Sequence, residues 1–223
     1  MASFQGYNFN VHDLIASAPT DPNCWGELMS ILDLFPGCAY IRHRSGDLPL
    51  HALLSVKAPE DVALAFAAKS NGDAPPPPDP EAPAPLVPAP PCVPDTSDPS
   101  VRVSALSLPS SSGAYPFHLA LSNGYTDGTC LALSDPAALR AVNALGEPAL
   151  FSAISLKRSA VIVRHILEGF PGAAEEMDEM DNLPLHECVR VGAEKEVLRM
   201  VYDAYPEAKD VENGDGDVVE VDL

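Results

Sequence analysis

Six histidines, five cysteines and a crowd of C-terminal carboxylates are the residues of this 223-residue chain whose types could do chemistry. Imidazoles and thiolates bind zinc or serve as bases and nucleophiles, and clustered carboxylates bind calcium. Their spacing excludes the familiar versions of each. His186-Glu187 lacks the second histidine of a metalloprotease helix. Cys24, Cys38, Cys92, Cys130 and Cys188 are odd in number and form no C-x-x-C pair, so they read as small buried hydrophobes in a reducing compartment. The run Asn213-Gly214-Asp215-Gly216-Asp217 lacks the glycine at position six and the bidentate glutamate at position twelve of a calcium loop. No phosphate-binding glycine loop or nucleophile elbow is present. No metal or cofactor is expected.

Three of the histidines instead mark a repeat. His51, His118 and His186 close the units Leu48-Pro49-Leu50-His51, Tyr115-Pro116-Phe117-His118 and Leu183-Pro184-Leu185-His186, and a degraded copy ends at Phe151 after Pro148. The intervals are 67, 33 and 35 residues, close to one or two multiples of about 33 to 34. A histidine recurring once per repeat is what a structural anchor looks like, a neutral imidazole bonded to nearby backbone. A second motif runs in phase: Phe35-Pro36-Gly37-Cys38-Ala39, Asp135-Pro136-Ala137-Ala138, Phe170-Pro171-Gly172-Ala173-Ala174 and Tyr205-Pro206-Glu207-Ala208.

Between the two motifs the apolar pattern is helical. Leu185, Cys188 and Val189 precede Gly192, and Val197, Leu198, Val201, Tyr202 and Tyr205 then form a second stripe. Ile162, Val163, Ile166, Leu167 and Phe170 repeat that stripe 35 residues earlier, and Val62, Phe66 and Ala67 match it in the first repeat. Pro49, Pro116, Pro148 and Pro184 stand at or near the start of each first helix, where a missing N–H costs nothing, and the Phe-Pro and Tyr-Pro pairs stop the second. Turn residues such as Ser45-Gly46-Asp47, Ser112-Gly113, Gly146 and Asp181-Asn182 join successive pairs as exposed fingers. Val11, Leu14 and Ile15, then Trp25, Leu28, Ile31, Leu32 and Phe35, predict an atypical N-terminal pair. A short helix pair has one apolar face and must stack on a neighbour.

Finger, Pro-Leu-His helix start, glycine turn and second helix at this period resemble the ankyrin repeat, best in Asn182-Leu183-Pro184-Leu185-His186-Glu187-Cys188 followed by Gly192-Ala193, Val197-Leu198 and Val201. The resemblance covers about residues 36–70 and 112–217, with 8–35 a weaker match. It implies an all-α solenoid of stacked helix-turn-helix pairs with hairpin fingers, whose work is protein–protein recognition without catalysis across finger tips and first helices. Leu48, Tyr115 and Leu183 stand where the family has threonine, so Asp47 or Asn182 is expected to cap instead. Gly128 inside the second helix of the second repeat predicts a short helix. Phe151 replaces a histidine, so one anchor is lost there.

The organisation expected is an N-terminal cap and first repeat over 8–73, a Pro-rich insertion or linker over 74–111, three further repeats over 112–217 and a ragged end at 218–223. Residues 74–99 hold twelve of the 24 prolines and suit a polyproline II or disordered spacer, reaching about 80 Å if extended. The spacer either enlarges a finger or replaces a lost repeat, and its low complexity favours the former. The alternative function is a regulatory or targeting fragment in which this tract docks and the repeats are scaffold. No Lys or Arg lies between Lys69 and Arg102, which disfavours docking on an aromatic groove.

A net charge of −19 excludes a nucleic-acid surface. No apolar run approaches the length of a membrane span, so an intracellular, cytoplasmic, monomeric protein is expected, nuclear placement not being excluded. The finger at Arg42-His43-Arg44 is basic. The last two are acidic, with Glu175, Glu176, Asp178, Glu179 and Asp181, then Asp210, Glu212, Asp215 and Asp217. These are the candidate partner-binding residues, and a partner with a basic surface is what they would steer. Limited digestion with a broad-specificity protease should cut first between Asn71 and Ser112 and leave a C-terminal piece of three pairs. Loss of that piece's helical circular dichroism after the cut would contradict a stacked-repeat architecture.

Overall fold

The computed structural model describes residues 11–21, 23–40, 42–70, 104–143, 145–178 and 180–219, so the proline-rich tract lies outside the described residues. The chain divides into two units, Met1–Ala105 and Leu106–Leu223. In the first unit, α1 (Val11–Ser17) and α2 (Asn23–Leu34) form the N-terminal pair, and α3 (Pro49–Ser55) and α4 (Glu60–Ser70) the next. α1 packs on α3 and α2 on α4. The second unit holds α5 (Pro116–Ser122) with α6 (Asp127–Ala132), α8 (Ala149–Ser155) with α9 (Ala160–Gly169), and α10 (Pro184–Val191) with α11 (Lys195–Ala204). First helices stack in the order α5, α8, α10 and second helices in the order α6, α9, α11. Each unit is a stack of helix pairs, and the described residues include no strand.

The sequence stripes become the faces between layers. Val62, Phe66 and Ala67 of α4 and Ile162, Val163 and Ile166 of α9 are buried. In α11 Val197 and Val201 are buried, whereas Leu198 and Tyr202 are only half covered. No described pair packs beyond α11, whereas α9 is covered by it, and this accounts for Leu198 being less buried than its counterpart Val163, while Tyr202 matches the half-covered Leu167. Two expected core residues are exposed for a similar reason. Phe35 and Val189 sit outside the contact faces of their pairs.

Four of the five pairs, all but α1 with α2, turn through the same Schellman motif. Lys57, Gly124, Lys157 and Gly192 adopt positive φ, at 53°, 69°, 51° and 62°. Each donates its N–H three residues back, and the next residue donates five back, as in Ala58 to Leu53, Tyr125 to Ala120, Arg158 to Ala153 and Ala193 to Cys188. These bonds satisfy carbonyls that a helix end leaves orphaned. Glycine enters this region freely, whereas the two lysines are held there at a cost of about 1–2 kcal/mol each.

Pro49, Pro116 and Pro184 occupy the first helical position, and Pro148 caps α8 one residue earlier. The expected caps from Asp47 and Asn182 do not form, which corrects the sequence reading. Both residues belong to the finger turns, where Asp47 accepts from Ser45 and Asn182 bonds Asp178. The helix start is instead secured by the histidine. Leu48 N–H donates to His51 Nδ1 at 3.1 Å, and Leu183 N–H to His186 Nδ1 at 3.1 Å. With Nδ1 accepting, Nε2 of His186 carries the proton and donates to the Val211 carbonyl at 3.1 Å. Both rings are thus bonded to backbone at the start of their helices.

His118 departs from it. Its ring is 1% exposed, and neither nitrogen reaches a partner at hydrogen-bonding geometry. Burial pushes its pKa down to about 4, against a weaker pull from the Ala141 carbonyl. The second repeat differs elsewhere too. α6 spans six residues including Gly128, as its short helix was expected to, but Asp135-Pro136 opens a further helix, α7 (Pro136–Arg140), where the other copies make a 3-10 turn. The Asp135 carboxylate accepts from Ala137 N–H at 2.9 Å, a true N-cap that Phe35, Phe170 and Tyr205 cannot supply.

Two predictions follow from these local strains. Between its ordinary pKa and about 4, His118 binds a proton in the unfolded chain and not in the folded one, so stability is full above about pH 6.5 and declines as pH falls toward 4. The linkage amounts to about 3 kcal/mol at most. Urea titrations should show that His118→Phe, the residue type that Phe151 places at this position, flattens this part of the pH profile relative to the parent chain. In the turns, Lys157→Gly should raise stability and Gly192→Ala lower it, each by about 1 kcal/mol. The opposite signs in thermal melts would remove the assigned strain.

Candidate functional site

Five fingers share one backbone: His43–Asp47, Ser110–Ala114, Asn143–Glu147, Asp178–Asn182 and Asn213–Asp217. In each, the first residue's N–H donates to the fifth residue's carbonyl at 2.8–3.0 Å, and the fourth N–H donates back to the first carbonyl at 2.9–3.1 Å. The fourth residue has positive φ, namely Gly46, Gly113, Gly146, Asp181 and Gly216. Asp181 is the single non-glycine among them, and aspartate is one of the few side chains that tolerates this region.

The first residue's side chain locks the turn from inside. Asn143 Oδ1 accepts from Leu145 and Glu147 N–H at 2.8 and 3.0 Å, Asp178 Oδ1 from Met180 and Asn182 at 2.8 and 2.9 Å, and Asn213 Oδ1 from Asp215 and Asp217 at 3.0 and 2.9 Å. Ser110 Oγ and His43 Nδ1 play the same part with one bond each, to Ala114 and Ser45 N–H. This is an Asx turn repeated at the repeat period. The sequence reading named the glycines but missed this residue, although a polar acceptor three positions before Gly46, Gly113, Gly146 and Gly216 was the available signal.

The last two fingers are tied together. Gly214 N–H donates to the Met180 carbonyl at 3.0 Å, and Asn213 Nδ2 to Asn182 Oδ1 at 3.0 Å. A Cβ on Gly214 would stand 2.6 Å from the Met180 oxygen, so only glycine permits the approach.

The candidate acidic residues fall into distinct groups on this scaffold. Glu175, Asp181, Asp210, Glu212, Asp215 and Asp217 are exposed. Glu176 is half-buried, and desolvation raises its pKa. Asp178 is spent in its turn. Partial burial would raise its pKa, but the bonds from Asn182 and Met180 and the nearby Arg190 charge outweigh that and hold the carboxyl below its usual range. Glu179 lies outside the described residues.

One polar constellation was not foreseen. Glu187, buried on α10, accepts the Ser155 hydroxyl from α8 and holds Arg190 in a two-pronged ion pair, Nε to Oε2 at 2.5 Å and Nη2 to Oε1 at 2.6 Å. Arg158 similarly reaches back one repeat to the Tyr125 carbonyl and to Asp127. Phe151 is buried at the position of the anchor histidines, and the bond that His186 makes to backbone has no counterpart there. Cys24, Cys38, Cys130 and Cys188 are buried, and burial pushes the Cys38 and Cys188 thiols up to about 11 and about 12, away from reactivity. Among the described residues no group of three or more His, Cys, Asp or Glu could hold a metal ion, and no helix is long and apolar enough to cross a membrane.

No protein-family model matches this sequence, and no curated protein matches it. Solved structures do. The crystal structure of EF0377, an ankyrin repeat protein, superposes with a TM-score of 0.58 at 14% identity, covering 95% of this chain and 89% of that one. At that identity the likeness speaks for the backbone alone. It agrees with the repeat period, the proline-led first helices and the repeated turn, and the chain accordingly has the ankyrin-repeat fold, written in divergent residues.

Proposed function

We propose that this chain is a non-catalytic protein-recognition scaffold and that the acidic fingers of its second unit receive a partner with a basic surface. The observation that carries the reading is the division of labour within each finger. The first residue's side chain and the fourth residue's backbone fix the turn, so the tip residues are exposed, held rigidly and free to differ from finger to finger. Preorganised, variable, exposed positions on a fixed frame are what recognition requires, because little conformational entropy remains to be lost on binding.

Glu175, Asp181, Asp210, Glu212, Asp215 and Asp217 are exposed, and Asp178 is best regarded as turn structure whose charge adds to theirs. Charges of this kind act mainly on encounter rate, and salt screens them over about 8 Å at physiological ionic strength. A net charge of −19 also favours a monomer through self-repulsion, and buried unreactive thiols suit an intracellular setting.

The test is a charge reversal at residues whose side chains make none of the turn bonds, Glu175→Lys, Asp210→Lys, Glu212→Lys and Asp215→Lys combined. Association with a Lys/Arg-rich peptide, measured by stopped-flow fluorescence, should slow by about tenfold or more and lose its salt dependence, with helical circular dichroism unchanged. An unchanged association rate would assign these carboxylates to solubility alone.

A further inference from the structure

Two neighbouring fingers carry something the other three do not. At the position just before the turn stand Val142 and Met177, and at the third turn residue stand Leu145 and Met180. These four side chains are 48%, 47%, 75% and 72% exposed. The same two positions hold Arg42 and Ser45, Pro109 and Ser112, and Glu212 and Asp215 in the remaining fingers. Large exposed apolar side chains paired at matching positions of adjacent repeats make a ledge, and isolated exposed apolar residues would not fall into register in this way.

We infer that this ledge seats an extended, polyproline-like segment of another protein that presents two apolar side chains three residues apart between lysines or arginines. The inference rests on the recognition reading above and specifies the partner. Charge selects the basic flanks. Glu175 and Asp181 lie within two residues of Met177 and Met180 in the chain, and Glu212, Asp215 and Asp217 stand at or in the finger bonded to that one. The cation nearest in sequence, Arg140, lies two residues before Val142 and sits over the Phe170 ring at 5.0 Å, and Arg190 is paired with Glu187. A second copy of this chain would bring the same acidic surface against itself at a net charge of −19.

Spacing selects the conformation. The two fingers lead into α8 and α10, which pack directly on each other, and packed helices lie about 8–10 Å apart. A polyproline II segment returns every third side chain to one face after about 9 Å. A β-strand returns its side chains to one face after about 7 Å or 13 Å, which misses that spacing.

The test uses the intact chain and fluorescein-labelled peptides followed by anisotropy. One peptide is Lys-Lys-Leu-Pro-Lys-Leu-Pro-Lys-Lys, and an isomer of the same composition places its leucines two residues apart. A third is a Lys-rich helical peptide with leucines at i and i+7. The first should bind about tenfold more tightly than either of the others, and Leu145→Ser with Met180→Ser should erase that preference while leaving the salt dependence in place. Equal binding of the isomers, or a double variant that binds as the parent does, overturns the ledge. Should binding then still be lost in the charge-reversed variant, the acidic-finger reading survives without it. Preference for the helical peptide overturns the extended occupant, and failure of every basic peptide to bind overturns both readings.

Discussion

A helix pair of this size has one apolar face and nothing of its own to put against it, and the rest of the molecule follows from that constraint. α8 illustrates the solution. Ala149 through Ile154 are buried without interruption, because α5 covers one side and α10 the other. Ala120 and Ala153 are fully buried near the ends of their helices, where small side chains let neighbouring pairs approach. On the outer layer, Ile162, Val163 and Ile166 of α9 each contribute about 1.5–3 kcal/mol by leaving water, most of it against a neighbouring pair. Stability is thus a property of contacts between repeats, and no single repeat owns it.

Polar bonding obeys the same geometry. Ser155 to Glu187, Arg158 to Tyr125, Ser159 to Asp127, His165 to Ser134, Arg164 to Glu196 and Asn213 to Asn182 all join residues 31 to 33 apart in the chain, which is one repeat. These bonds contribute little individually where they are exposed, as Arg164 and Glu196 are. Where they are buried they fix register, because a slip of one residue would strand the Glu187 carboxylate or the Arg158 guanidinium away from water.

The fingers balance two opposed demands. Their backbone must be rigid without a core to hold it, and this is met by the internal side-chain acceptor and the positive φ of the fourth residue. Their tips must be exposed without aggregating. The surrounding carboxylates offset the apolar tips of the middle fingers, since charge repulsion keeps such surfaces from pairing with themselves.

What the sequence by itself determined is whatever depends on a residue and its near neighbours along the chain. The period, the proline-led first helices, the stripes of α9 and α11, the turn at Gly192 and the N-terminal pair are all of this kind, because helical periodicity and backbone restriction act within a few residues. Of the candidate surface, the acidic character was legible and the division between turn-forming Asp178 and the exposed carboxylates was not. Tertiary structure alone decided that Lys57 and Lys157 take the left-handed conformation, since closure of a pair onto its neighbour imposes it whatever the side chain. It also decided that the His118 ring goes without a partner while that of His186 has two, that Glu187 is buried, and that Val189 and Phe35 are exposed. In each case the deciding atoms belong to another segment of the chain or to the neighbouring repeat, and no local pattern records what will be packed there.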